Sequence, residues 1–281
     1  MTEISANAPE LDLRGGLGAR VRLNSGLPMP VLGLGVWKIP PGAPTRDAVV
    51  AALSIGYRLI DTAAMYGNER EVAEGIRASG VPREEVFVTS KLWTDDHGRD
   101  AAARAFERSA QALGPAPIDL YLIHWPVASK NLETWRVLER RFAEGRCRSI
   151  GVSNFTGPDL EALRRDASVV PAVNQIEFHP FQFPRELLEH DRRLGIQTES
   201  YSPLGRGRRL ADPTVAEIAR RHGRSPAQVF LRWGLERGVI PIPKSVHPER
   251  MRENAEVFDF ALDPQESAEL DRLSGGDAVG R

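Results

Sequence analysis

Eight short apolar runs of β character recur along this 281-residue chain, each leading into a segment of helical character. They are "VLGLGVW", "YRLID", "EVFVTSK", "IDLYLIHW", "CRSIGVS", "PAVNQIE", "IQTESYS" and "GVIPIPKS". Their apolar residues run on almost without alternation, as in parallel strands buried on both faces. The segments between them carry helix start signals and a 3.6-residue period. "NEREVAEGIRASG" opens at Asn68 and stops at Gly80, and "TGPDLEALRRD" opens at Thr156. In "NLETWRVLERRFAEG", Leu132, Trp135, Leu138 and Phe142 share one stripe, which makes Trp135 and Phe142 core residues. Trp233, in the helical "PAQVFLRWGLER", reads the same way.

Strict alternation of eight strands with helices predicts an α/β fold, a closed (β/α)₈ TIM barrel. An open doubly wound sheet would carry a glycine-rich fingerprint between a strand and a helix. "GLGARV" and "GLGVWK" both lack its third glycine. The barrel is expected as one domain over residues 20–281, with an N-terminal β-hairpin turning at Asn24-Ser25-Gly26 and extra C-terminal helices. Residues 1–19 are polar and without pattern, and are expected to form a flexible tail.

Charge excludes several partner classes. Lys and Arg total 37 against 38 Asp and Glu, so no net positive field points to nucleic acid or an anionic membrane surface. "RGRRL", Arg206 to Leu210, reads as a solvated loop. No apolar run approaches the roughly 20 residues that span a bilayer, and the first residues lack the basic and apolar regions of a secretion signal. The one cysteine, Cys147, excludes an internal disulfide and suits a reducing compartment. It reads as a buried, inert thiol. A cytoplasmic monomer acting on small molecules is the expectation.

In such a barrel, functional residues stand at the C-terminal ends of the strands. Taken in order, those ends present Trp37, Asp61, Lys91, His124, Ser153-Asn154, Gln175, Tyr201-Ser202 and Lys244-Ser245. Each has an ordinary structural reading alone: a cap, a surface charge, a core histidine. Their coincidence at one face points to a site. In "DTAAMYGNE", Tyr66 follows Asp61 by five residues. A lysine cation beside a tyrosine favours the phenolate and lowers its pKa, and a carboxylate keeps that lysine charged. His124 can hydrogen-bond the same substrate oxygen. Asp61, Tyr66, Lys91 and His124 thus form an acid-donating site for a carbonyl oxygen. The six histidines show no metal-ligand spacing, and no metal is expected.

At this point the chain resembles the aldo-keto reductases. The matching segments are "DTAAMYGNE", "VTSKLW", "DLYLIHWP", "IGVSNF", "NQIEFHP", "YSPLG" and "PIPKSVHPERMRENAEVFDF", in family order from about residue 20 to 273. Bacterial members such as the diketogluconate reductases are the most similar. The resemblance implies a catalytic tetrad of Asp61, Tyr66, Lys91 and His124, with Tyr66 as general acid, and NADPH as cofactor. It implies that Tyr201 stacks on the nicotinamide, that Ser153, Asn154 and Gln175 hold its carboxamide, and that Ser202 and Leu204 border the pyrophosphate. Lys244, Ser245 and Arg250 would grip the 2′-phosphate, with Glu253 and Asn254 at the adenine. "KSVHPER" also follows the last strand and opens a helix, a natural anion site.

Trp37, Trp93 and Trp125 are expected to line the mouth of the substrate pocket. Core packing is the competing reading, chiefly for Trp125, which Pro126 follows. The terminal "GGDAVGR" is too short to fold far over the barrel mouth. An NADPH-dependent reductase of small aldehydes, dicarbonyls and keto sugars is the functional expectation. The alternative is a cofactor-binding barrel that senses or scaffolds without turnover.

Overall fold

The structure, a computed structural model, describes residues 11–274. The expected hairpin forms from β1 (Arg20–Arg22) and β2 (Pro28–Pro30), paired antiparallel with Val21 opposite Met29. At its tip Asn24 donates to the carbonyls of Pro171 and Gly195, and Ser25 meets Ser149. Those three residues precede strands, so the hairpin closes the end of the barrel where strands begin.

All eight expected strands are present: β3 (Leu34–Gly35), β4 (Leu59–Asp61), β5 (Phe87–Leu92), β6 (Leu120–Ile123), β7 (Ile150–Ser153), β8 (Val173–Glu177), β9 (Gln197–Tyr201) and β10 (Ile240–Pro241). Each pairs in parallel with the next, in chain order from β3 to β10. The ring closes through two hydrogen bonds, Gly33 N–H to Pro241 O at 3.1 Å and Gly35 N–H to Pro243 O at 3.2 Å. Proline has no N–H to return, so this seam is bonded in one direction only. Ile242, between the prolines, donates the other way, to Ser200 O. A Cβ on Gly33 would lie 2.5 Å from Leu59 Cγ, and one on Gly35 would lie 2.9 Å from Ile242 O. The glycines of "GLGVW" therefore let the seam strands approach closely.

Helices α1 (Ala43–Ile55), α2 (Glu69–Ser79), α3 (Arg99–Leu113), α4 (Asn131–Ala143), α5 (Gly157–Arg164) and α6 (Arg185–Arg193) follow β3 to β8 in turn. After β9 come α7 (Pro213–His222) and α8 (Pro226–Glu236); after β10 come α9 (Pro248–Ala255) and the additional α10 (Pro264–Arg272). Local chemistry explains their limits. Thr156 and Asp159 close a capping box at the start of α5, and Gly80 ends α2 in the left-handed conformation. Trp135 is fully buried in the main core, where Phe142 is half-buried and Cys147 buried, and Trp233 is fully buried in a second cluster against Phe178 and Phe183.

Of the segment expected as a tail, residues 1–10 lie outside the described residues. Leu13–Gly18 form a short 3₁₀ turn, and Leu11, Leu13 and Leu17 pack against the core. The terminal "GGDAVGR" also lies outside the described residues.

Candidate active site

Three strands bring four ionisable groups under one mouth. Asp61 ends β4, Lys91 is the penultimate residue of β5, and His124 follows β6 directly. Tyr66 closes a 3₁₀ turn, Ala64–Tyr66, just beyond β4. Lys91 is fully buried. Its ammonium donates to Asp61 Oδ1 at 2.7 Å, to the Thr62 carbonyl at 2.9 Å and to Tyr66 Oη at 3.4 Å. Those three contacts use all the protons of the ammonium. Burial works against the charged form of Lys91, but Asp61 and Tyr66 outweigh it and the pKa is raised.

Burial pushes the Tyr66 hydroxyl above its usual pKa, and Lys91 only partly offsets this. The expected net lowering is thus corrected: desolvation exceeds the pull of the cation. Tyr66 holds its proton through the neutral range. His124 is driven down to about 3 by burial and then by the Lys91 charge, so its ring is neutral. Its Nδ1 is buried without a partner. An unpartnered lone pair is cheaper than an unpartnered N–H, so the proton belongs on Nε2. His124 is not a satisfied core histidine. Tyr66 and Trp93 both pack edge-on against it, at centroid distances of 5.7 and 5.0 Å.

Asp61, Tyr66 and His124 floor a cavity of about 180 Å³ that Trp37, Met65, Trp125, Asn154, Gln175, Tyr201 and Arg206 also line. Gln175 Nε2 donates to Asp61 Oδ2 at 2.8 Å and to Glu199 Oε2 at 2.7 Å. Asn154 donates to the His124 carbonyl and to Ser153 Oγ, and accepts from the Tyr201 hydroxyl at 2.8 Å. Ser153 is fully buried behind them and donates to the Gln175 carbonyl.

A groove of about 630 Å³ continues from this cavity past Ser202, Leu204 and Arg206 to Lys244, Ser245, Arg250, Glu253 and Asn254. Lys244 and Arg250 are exposed, and neither makes an ion pair or side-chain hydrogen bond with another described residue. Two uncommitted cations beside the start of α9 fit a phosphate group. Ser245 Oγ exchanges hydrogen bonds with His247, and Glu253 accepts from Ser225. Lys38, Asn154, Ser202 and Arg206 are the non-glycine residues with positive φ among those described. All four line the cavity or the groove. Backbone strain is concentrated where a ligand would lie.

Residues 31–274 match the aldo/keto reductase family. The chain is 48% identical to an aldo-keto reductase of Mycolicibacterium smegmatis over 266 residues, covering 94% of this chain and 96% of that protein. It is 46% identical to glyoxal reductase of Bacillus subtilis over 260 residues, covering 92% and 94%. The chain belongs to the aldo-keto reductase family. Among solved structures, a mutant of Gox0644 in complex with NADPH superposes with a TM-score of 0.88 at 43% identity, covering 93% of this chain and 96% of that one. As a family member, the chain is an oxidoreductase.

Within this aldo-keto reductase, the structure decides between the two readings of Trp125 and corrects those of Trp93 and Arg206. Trp125 is not a core residue: it is 43% exposed at the cavity wall, because the loop after β6 turns it outward. Trp93 stands behind His124 and is not part of that wall. Arg206 is not merely a solvated loop residue. It lines both cavity and groove, 5.6 Å from the Trp37 ring centroid and 3.6 Å from a Glu177 carboxylate oxygen. Met65 and Glu199 were not selected from sequence. Glu199 had a signal: it lies two residues before Tyr201, on the same inward face of a strand.

Proposed function

We propose that this aldo-keto reductase is an NADPH-dependent carbonyl reductase in which Tyr66 is the proton donor. One observation carries the reading: the fully buried Lys91 ammonium, held by Asp61, touches the Tyr66 hydroxyl at the floor of an open cavity. NADPH, when bound, supplies the hydride that reduces the carbonyl carbon. Tyr66 gives its proton to the carbonyl oxygen, and Lys91 stabilises the phenolate that remains. Neutral His124 donates from Nε2 to the same oxygen and orients it. Asp61 keeps Lys91 charged, which a buried lysine does not sustain alone.

The groove supports the cofactor assignment. Lys244 and Arg250 would meet the 2′-phosphate, Ser202 and Leu204 the pyrophosphate, and Glu253 and Asn254 the adenine. Tyr201 would stack on the nicotinamide. Asn154 and Gln175 would face its carboxamide, with Ser153 supporting them from behind. Trp37, Met65 and Trp125 would form the substrate wall, which has few directional contacts. The reading therefore expects small aldehydes, dicarbonyls and keto sugars to be reduced with graded preference, since apolar contacts discriminate by only about 1–3 kcal/mol each. It also expects a cytoplasmic monomer.

Loss of reduced-cofactor absorbance over a panel of such carbonyls tests the proposal. Oxidation of NADPH that depends on both protein and carbonyl supports it. Tight NADPH binding with no turnover on any member would favour the sensor or scaffold alternative.

A further inference from the structure

Glu199 sits inside the barrel with no solvent contact, on the same face of β9 as Tyr201. The Gln175 amide nitrogen gives one N–H to Glu199 Oε2 and the other to Asp61 Oδ2. An amide held between these two groups has one stable orientation, because a flip would set its oxygen against the acceptor-only carboxylate of Asp61. With both N–H groups taken, the carbonyl oxygen is the part of Gln175 left to meet a ligand in the cavity it lines. A continuous polar path then runs from Tyr66 through Lys91, Asp61 and Gln175 to Glu199.

We propose that Glu199 is a positioning residue for the reduction. With Asp61 it clamps the Gln175 amide so that its carbonyl faces the nicotinamide carboxamide, and its charge state governs how readily Tyr66 releases its proton. This rests on the reductase reading above.

The charge balance supports it. One cation, Lys91, faces two carboxyls. Asp61 touches the ammonium directly while Glu199 touches only the Gln175 amide, so the negative charge resides on Asp61. Burial, reinforced by the Asp61 charge, pushes Glu199 up to about 8. Its Oε1 has no partner, which suits a neutral carboxyl better than an anion. The titratable groups facing it are Asp61 from β4, Lys91 from β5 and Tyr66 from the turn after β4. Its other neighbour, β10, sets Ile240 opposite it and adds none. Ionisation of Glu199 adds a negative charge that no second cation balances. That charge holds the proton on Tyr66 more tightly and slows proton donation.

The test compares wild type, E199Q and E199L, each with NADPH. Infrared difference spectra between about pH 7 and about pH 10 should show, beside any Asp191 band common to both proteins, the loss of a second buried carboxyl band in wild type that E199Q lacks. Relative to its neutral plateau, wild-type kcat should fall roughly tenfold per pH unit above about 8. In E199Q, which keeps the acceptor but cannot ionise, that break should move up by about one unit or more. NADPH affinity should survive in E199Q and drop about tenfold in E199L, where the amide is released on one side. An unchanged break in E199Q, or carboxyl spectra of wild type and E199Q that are identical throughout, overturns the proposal, and both hold even if E199L fails to fold. If wild type reduces no carbonyl, the reductase reading fails, and the infrared and binding measurements still judge the clamp.

Discussion

Lys91 and Asp61 form an ion pair at 2.7 Å with almost no solvent contact, the lysine side chain 0% exposed and the aspartate 3%. A pair this deeply buried is costly to break from one side, because the partner left behind is an uncompensated charge.

Lys91→Met should therefore lose both stability and activity. It strands Asp61 and leaves Tyr66 without its cation, at a cost of about 3–5 kcal/mol in unfolding free energy. The double variant Lys91→Met with Asp61→Asn should recover much of that stability and none of the turnover. Denaturant unfolding beside kcat separates the two effects. Recovery of activity in the double variant would show that the ion pair serves the fold alone.

Tyr66→Phe removes only a hydroxyl. It should lower kcat by about 10²- to 10⁴-fold and leave NADPH affinity nearly unchanged, since the hydroxyl faces the substrate cavity. Steady-state kinetics and a fluorescence titration check both parts. Near-normal turnover in a folded variant would remove Tyr66 from the proton-donor role.

Arg250→Ala should weaken NADPH and spare NADH. A charge-assisted hydrogen bond contributes roughly 1.5–3 kcal/mol, so the loss should be about tenfold or more in Kd. Titration of both cofactors against wild type and variant decides it. Equal loss for the two would assign Arg250 to the fold or the adenine.

Asp191 supplies a pH effect away from the site. It is fully buried on α6, accepts from Asn174 and Thr198, and burial pushes it up to about 7. Its folded pKa exceeds the unfolded value of about 4, so the folded state binds the extra proton between them. Its contribution is fully present below about 4 and is lost as pH rises towards about 7. His124, driven down to about 3, acts in the opposite sense, losing stability as pH falls below about 6.5. Asp191→Asn should remove the first component, so the variant's melting temperature should fall less than that of wild type between about pH 4 and about pH 7. Parallel curves for the two proteins would refute the assignment.

The strand count, the parallel order and the positions of Asp61, Lys91, His124 and Tyr201 at strand ends were all legible in the sequence. They depend on local patterns: apolar runs, capping residues and turn signals act over a few neighbours in the chain. Other features depend on residues far apart in sequence meeting in space. The one-way seam between Gly33-Gly35 and Pro241-Pro243 is such a case, and so is the clamp of Gln175 between Asp61 and Glu199. The sign of the Tyr66 shift was equally hidden, since the pull of Lys91 is readable from residue type but the opposing desolvation is set by everything packed around the hydroxyl. Trp125 and Trp93 look alike in sequence, each just past a strand. Only the path of the loops turns one to the cavity and the other behind His124. Sequence determined which groups arrive at the barrel mouth; tertiary packing decided their solvation and their partners, and those set the chemistry.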